Sequence, residues 1–167
     1  PVQRRIRFGN GVTADFDLLA YVPPHRAPQV VREARLCGES DWVPVNRGTM
    51  ATRFPGVFAI GDVTSVMLTA IGKPLPKAGV FAHHEAGVVA HNIVRAITGR
   101  GAEQRFTGDG ECFIETGDGR AAFGGGNFYA DPAPQIRLKH PSGLLHLGRV
   151  AYEKFWLQRW WWKAFGY

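Results

Sequence analysis

Apolar residues recur at helical spacing over residues 78–97, at Val80, Phe81, Val88, Val89, Ile93 and Ile97, and the run stops before Gly99. This pattern predicts one long helix closed by a glycine cap. Upstream, Val57-Phe58-Ala59-Ile60 is an unbroken apolar run between the turn Phe54-Pro55-Gly56 and the pair Gly61-Asp62, as expected of a strand buried on both faces. Residues 4–8 and 16–22 are rich in branched and aromatic side chains around Gly9-Asn10-Gly11, which predicts a hairpin. The proline-rich loop 23–28 leads to a short helix over 29–36, and Val43-Pro44-Val45 reads as a short strand.

Beyond Gly101 the pattern changes. Glycines at 108, 110, 117, 119 and 124–126 punctuate short runs such as Cys112-Phe113-Ile114-Glu115, which predicts a small antiparallel sheet. The last stretch, 150–167, holds Tyr152, Phe155, Trp156, Trp160, Trp161, Trp162 and Phe165 with interleaved Lys and Arg, and nothing before Gly166 breaks a helix. The expected fold is α/β, with units at 1–100, 101–149 and 150–167. No internal repeat is evident.

With 45% apolar residues in 167, the chain can bury one modest core and lacks the signature of disorder. It begins with Pro1, and residues 1–8 read as a strand entered in mid-domain, so a fragment or processed subunit is expected. The formal charge is +6, and it is concentrated near the end, where Arg137, Lys139, Arg149, Lys154, Arg159 and Lys163 face one acid, Glu153. Such a charge suits nucleic acid, anionic lipid or an acidic ligand, and its placement makes the tail the electrostatic feature; no nucleic-acid partner is expected. Two cysteines are too few for a disulfide scaffold, and there is no signal peptide or apolar run of membrane-spanning length. A cytoplasmic or peripheral membrane location is expected.

The sharpest chemical signal is the apolar run that delivers Gly61 and then Asp62 to a strand end, because ligands bind at such edges in open α/β sheets. Glycine allows close backbone approach, and the carboxylate can accept hydrogen bonds from a hydroxylated chain. Asp62 is equally suited to capping the following turn. At the start of the predicted long helix the amides of Ala78, Gly79 and Val80 carry partial positive charge, with Lys77 beside them, so an anionic group would be favoured there; a plain solvated lysine is the alternative. The six histidines show neither zinc spacing nor an accompanying Cys-x-x-Cys, so no metal is expected.

Residues 57–62 resemble the second FAD-binding motif of the pyridine nucleotide-disulfide oxidoreductase family. Leu75-Pro76-Lys77-Ala78-Gly79-Val80-Phe81-Ala82 is similar to the segment that meets the flavin pyrimidine ring in sulfide:quinone oxidoreductases. The looser similarity runs from about Val12 to Lys154. It implies the C-terminal part of a flavoprotein with two dinucleotide-binding domains, in which Gly61, Asp62, Lys77, Ala78, Gly79 and Val80 contact FAD. Cys112, in Gly110-Glu111-Cys112-Phe113, looks like the downstream redox cysteine of that family, which pairs with a cysteine from the N-terminal part. A small buried hydrophobe is the alternative for Cys112; Cys37 looks incidental. The first glycine-rich fingerprint of the family is missing, since Gly124-Gly125-Gly126 precedes no helix.

The resemblance implies an FAD-dependent enzyme passing electrons from sulfide or a related reduced-sulfur donor to a membrane quinone. NAD(P)H as the donor is one alternative. A membrane- or partner-binding fragment without activity is another. Expected partners are the N-terminal part of the same flavoprotein, quinone, and a membrane surface met through Trp156, Trp160, Trp161 and Trp162. Homo-oligomerisation is left open.

Overall fold

The computed structural model describes residues 4–165, with side chains as far as Trp161. Strands β1 (Arg5–Arg7) and β2 (Thr13–Asp15) form an antiparallel hairpin. Its second strand lies earlier than its branched and aromatic residues predict: Asn10 Oδ1 accepts from Val12 N at 3.1 Å, and Gly11 sits at φ 85°. The turn therefore closes at once and pairing begins at Thr13, while residues 16–22 carry no strand and Leu18 is 88% exposed.

Helix α1 (Gln29–Glu33) is shorter than expected, because the chain turns into the left-handed region at Arg35 (φ 55°). Strands β3 (Val43–Pro44) and β4 (Thr64–Ser65) pair in parallel, and β5 (Met67–Leu68) pairs antiparallel with β6 (Lys73–Pro74). Residues 57–60 do not form the expected buried strand. Among the described residues they make one isolated bridge, Phe58 to Ala51, and Val57 and Ile60 stay partly exposed. Their apolar character does not bury them here, since no neighbouring strand covers both faces.

Helix α2 (Gly79–Thr98) follows the predicted period and ends at Gly99 in the left-handed conformation, φ 68°. Strands β7 (Asp109–Gly117), β8 (Arg120–Asn127) and β9 (Gln135–Ser142) form the predicted antiparallel sheet in the order β7-β8-β9. Helix α3 (Gly143–Phe165) starts directly from β9, seven residues before the expected boundary at 150, with Ser142 Oγ accepting from Leu145 N at 3.2 Å. The chain is thus mixed helix and sheet with a small β-rich region.

The core is the cluster Met50, Val66, Leu68, Leu75, Phe81 and Phe106, with Val88, Val89, Phe128 and Tyr129 packed on it. Full burial of each large side chain contributes about 1.5–3 kcal/mol. Phe81 meets Phe106 and Phe128 edge-on at ring-centroid distances of 6.1 and 5.0 Å. The extended segment after α2 is pinned to the helix by a reciprocal pair: Asn92 Nδ2 donates to Gln104 O at 2.8 Å, and Gln104 N donates to Asn92 Oδ1 at 2.9 Å.

The two faces of the β7-β8-β9 sheet meet different helices. Gly110 sits against Phe81 of α2, and His84 Nδ1 lies 3.2 Å from Asp109 O. Phe113, three residues on and so on the opposite face, packs against Tyr152 of α3. On that same side Glu115 contacts His146 and Arg149.

Candidate functional site

Residues 61–63 form a single 3-10 turn rather than a strand end. Gly61 adopts φ 70°, and a Cβ there would meet the Cβ of Ala82 at 3.1 Å, so the turn can lie against α2 only because residue 61 is glycine. Three interactions hold it. Glu85 Oε2 accepts from Gly61 N at 2.6 Å, Thr64 Oγ1 donates to Gly61 O at 2.8 Å, and Lys77 Nζ donates to Asp62 O.

Lys77 is more than a solvated cation. Its ammonium also donates to Thr64 O at 3.1 Å and lies 3.7 Å from the ring centroid of Trp42. Partial burial holds its pKa below the ordinary lysine value, partly offset by the Asp62 charge. Asp62 itself is exposed. Ala78 is the extended N-cap residue of α2, with φ −145° and ψ 140°, and the amides of Gly79 and Val80 precede the first helical hydrogen bond, Phe81 N to Ala78 O. Gly61, Asp62, Lys77, Ala78, Gly79 and Val80 thus converge on one edge, where a carboxylate, a cation and a helix N-terminus lie together.

The edge is open. The cavity between the turn and α2, lined by Gly61, Asp62, Lys77, Ala78 and Glu85 among others, has a volume of about 10 Å³ and admits no more than a water molecule. Any larger group must lie on the outside of the turn and the helix start.

Cys112 lies on β7 opposite Gly124, is exposed, and has its Sγ 3.1 Å from Phe113 O. Cys112 is therefore not packed as a buried hydrophobe among the described residues. Strand alternation puts Cys112 on the same sheet face as Gly110, the face that meets Phe81 two residues into α2. The thiol is therefore carried by the sheet face that looks towards the start of α2. Cys37, in the loop before β3, is half-buried and free.

Glu85 went unrecognised in the sequence. Its residue is 1% exposed, and burial first, then the Asp62 charge, push its pKa above the ordinary carboxyl value against the opposing effect of the Gly61 amide. The available signal was its place on α2: Phe81, Glu85, Val88 and Asn92 share one face, so an acid stood where an apolar residue belongs. Tyr129 is a second such group. Burial raises its pKa, and its hydroxyl donates to Arg47 O at 3.0 Å.

Trp156 is half-buried, 4.9 Å from His83 and 5.9 Å from Tyr152 between ring centroids. Trp160 and Trp161 are 48% and 68% exposed, and the side chain of Trp162 lies outside the described residues. Among the described residues no helix is long and apolar enough to cross a membrane, and no group of three His, Cys, Asp or Glu side chains could hold a metal ion.

No family model matches the chain. It is 30% identical over 120 residues to the mitochondrial sulfide:quinone oxidoreductase of Schizosaccharomyces pombe, covering 71% of this chain and 25% of that protein. Against the mitochondrial sulfide:quinone oxidoreductase of Mus musculus the identity is 23% over 118 residues, covering 70% of this chain and 25% of the relative. The sulfide-quinone reductase of Aquifex aeolicus is 28% identical over 149 residues, covering 82% of this chain and 33% of the relative. The chain therefore spans a quarter to a third of the length of the curated relatives it matches, and it is a sulfide:quinone oxidoreductase-like C-terminal portion.

Proposed function

We propose that this chain supplies one wall of the flavin site and the redox cysteine of an FAD-dependent oxidoreductase that passes electrons from sulfide or a related reduced-sulfur donor to a membrane quinone. Residues 1–100 then belong to the FAD/NAD(P)-binding domains and 101–149 to a β-rich subdomain. The final helix meets the membrane surface, and an N-terminal part of the same flavoprotein completes the site.

The observation that supports this reading most is the Gly61-Asp62 turn held against the start of α2. Its donor set suits the group: the exposed Asp62 carboxylate can accept from the hydroxyls of a ribityl chain, and the Gly79 and Val80 amides with Lys77 suit an electron-rich ring edge. Bound FAD supplies reversible two-electron acceptance. The residues of this chain bind it, orient it and offer positive potential where negative charge accumulates, which favours the reduced state.

Cys112 acts in this reading with a second cysteine from the N-terminal part. Sulfide attacks one sulfur of their disulfide. A new S–S bond forms, the old one breaks, and its electron pair leaves on the other cysteine as a thiolate. An exposed thiol on the face towards α2 meets the access that such exchange needs.

The test is an absorption spectrum of the purified protein, with its N-terminal part, titrated first with sulfide and then with NADH. Flavin bleaching by sulfide is expected. A preparation that holds no flavin, or bleaches with NADH alone, overturns the reading.

A further inference from the structure

We infer that Glu85 is a positioning residue for the cofactor edge: through its hydrogen bond to Gly61 N it fixes the turn that presents Asp62. The inference rests on the FAD reading above and adds a residue that never touches the cofactor. Glu85 is buried, and its side chain spans the space between α2 and the turn. Oε2 accepts from Gly61 N at 2.6 Å, one residue before the exposed Asp62. Lys77 donates to the backbone oxygens of Asp62 and Thr64. Two side chains from opposite ends of the site thus clamp the same four residues, Glu85 at an amide and Lys77 at two carbonyls.

An acid at this position carries a desolvation penalty that an apolar residue would avoid. The structure shows what that side chain does in return. Without an acceptor, the partly buried Gly61 amide would be unpaired at the contact with Ala82, where the backbone must hold φ 70°. The turn would then rotate to find another partner and carry the Asp62 carboxylate away from its ligand position.

The acceptor is what matters, so glutamine should replace glutamate, whereas methionine, of similar length and without a strong acceptor, should not. The experiment compares the wild-type protein with Glu85→Gln, Glu85→Met and Asp62→Ala. Two quantities are read: the FAD dissociation constant, by flavin fluorescence, and amide hydrogen exchange of the peptide covering residues 57–66 in flavin-free protein.

Glu85→Met should weaken FAD binding roughly ten- to hundredfold, the worth of a hydrogen bond to a charged group, and should speed exchange in the peptide. Glu85→Gln should restore both. Asp62→Ala should weaken FAD binding and leave the exchange slow, since the clamp is intact. Wild-type protection and affinity in Glu85→Met overturn the inference. A wild-type protein that binds no FAD but shows the expected exchange pattern defeats the cofactor reading and leaves the clamp standing.

Discussion

Replacing Gly110 with alanine probes the contact that joins the sheet to α2. A Cβ at this position would stand 2.2 Å from Cε1 of Phe81 and 2.9 Å from its Cδ1 and Cζ, against about 3.5–4.0 Å for carbon atoms at rest. The ring has little room to yield. It is 4% exposed and wedged edge-on between Phe106 and Phe128. Overpacking of this kind costs about 1–3 kcal/mol. Loss of glycine's backbone freedom returns about 0.5–1 kcal/mol, so a net destabilisation of up to about 2.5 kcal/mol is expected. For a chain of this length that is a fall in Tm of up to roughly 10 °C. Gly87, in α2 with nothing within 4 Å of its missing Cβ, is the internal control; Gly87→Ala should raise Tm slightly. The penalty at Gly110 should shrink in a Phe81→Leu background, giving a coupling of about 0.5–3 kcal/mol. If Gly110→Ala melts like the wild type in both backgrounds, β7 does not rest on Phe81, and the placement of Cys112 relative to α2 fails with it.

Cys112→Ser should abolish bleaching of the flavin by sulfide while the flavin stays bound, since a hydroxyl cannot take part in disulfide exchange; normal sulfide turnover in this variant would remove Cys112 from the reaction. The raised pKa of Glu85 means that the folded protein holds this proton more tightly than the unfolded chain. Its favourable contribution is therefore complete below the ordinary carboxyl range and is lost as pH rises through the folded value. Glu85→Gln should thus unfold at a higher temperature than the wild type at neutral pH, with the gap closing in acid; a constant gap across pH would show that the carboxyl does not titrate abnormally. Phe155 and Leu147 are 61% and 63% exposed on the outer side of α3, and changing both to serine should reduce co-sedimentation with anionic vesicles without lowering Tm. Undiminished sedimentation would mean that α3 is not the membrane contact.

Helix α2 and the β7-β8-β9 sheet were legible in the sequence because each carries its own signal: a period closed by Gly99, and glycine-punctuated runs that pair with their neighbours. Residues 57–60 were misread because an apolar run buries itself only where neighbouring strands cover it, and here Phe58 finds one bridge to Ala51 while Val57 and Ile60 stay exposed. The hairpin shifted because an asparagine side chain, a few atoms of local chemistry, outweighed the β-propensity of 16–22. The early start of α3 was missed although Ser142 serves as its cap, because Pro141 and Gly143 beside it are poor helix formers. At the site, Gly61, Asp62, Lys77 and Ala78 line one small cavity. Glu85 escaped because an acid in a helix reads as solvated unless its neighbours one and two turns away are seen to be buried.

The contact of Trp156 with His83 closes a loop of elements. Helix α2 bears on β7 through Phe81 and Gly110, β7 bears on α3 through Phe113 and Tyr152, and α3 returns to α2 through Trp156 and His83. Three members joined at three corners make a triangle, the one plane frame that cannot shear without stretching a side. A load applied to the outer surface of α3 is then shared with α2 at His83, five residues from Ala78. Any surface that seats α3 will, by the same geometry, fix the tilt of the helix start that carries Gly79 and Val80.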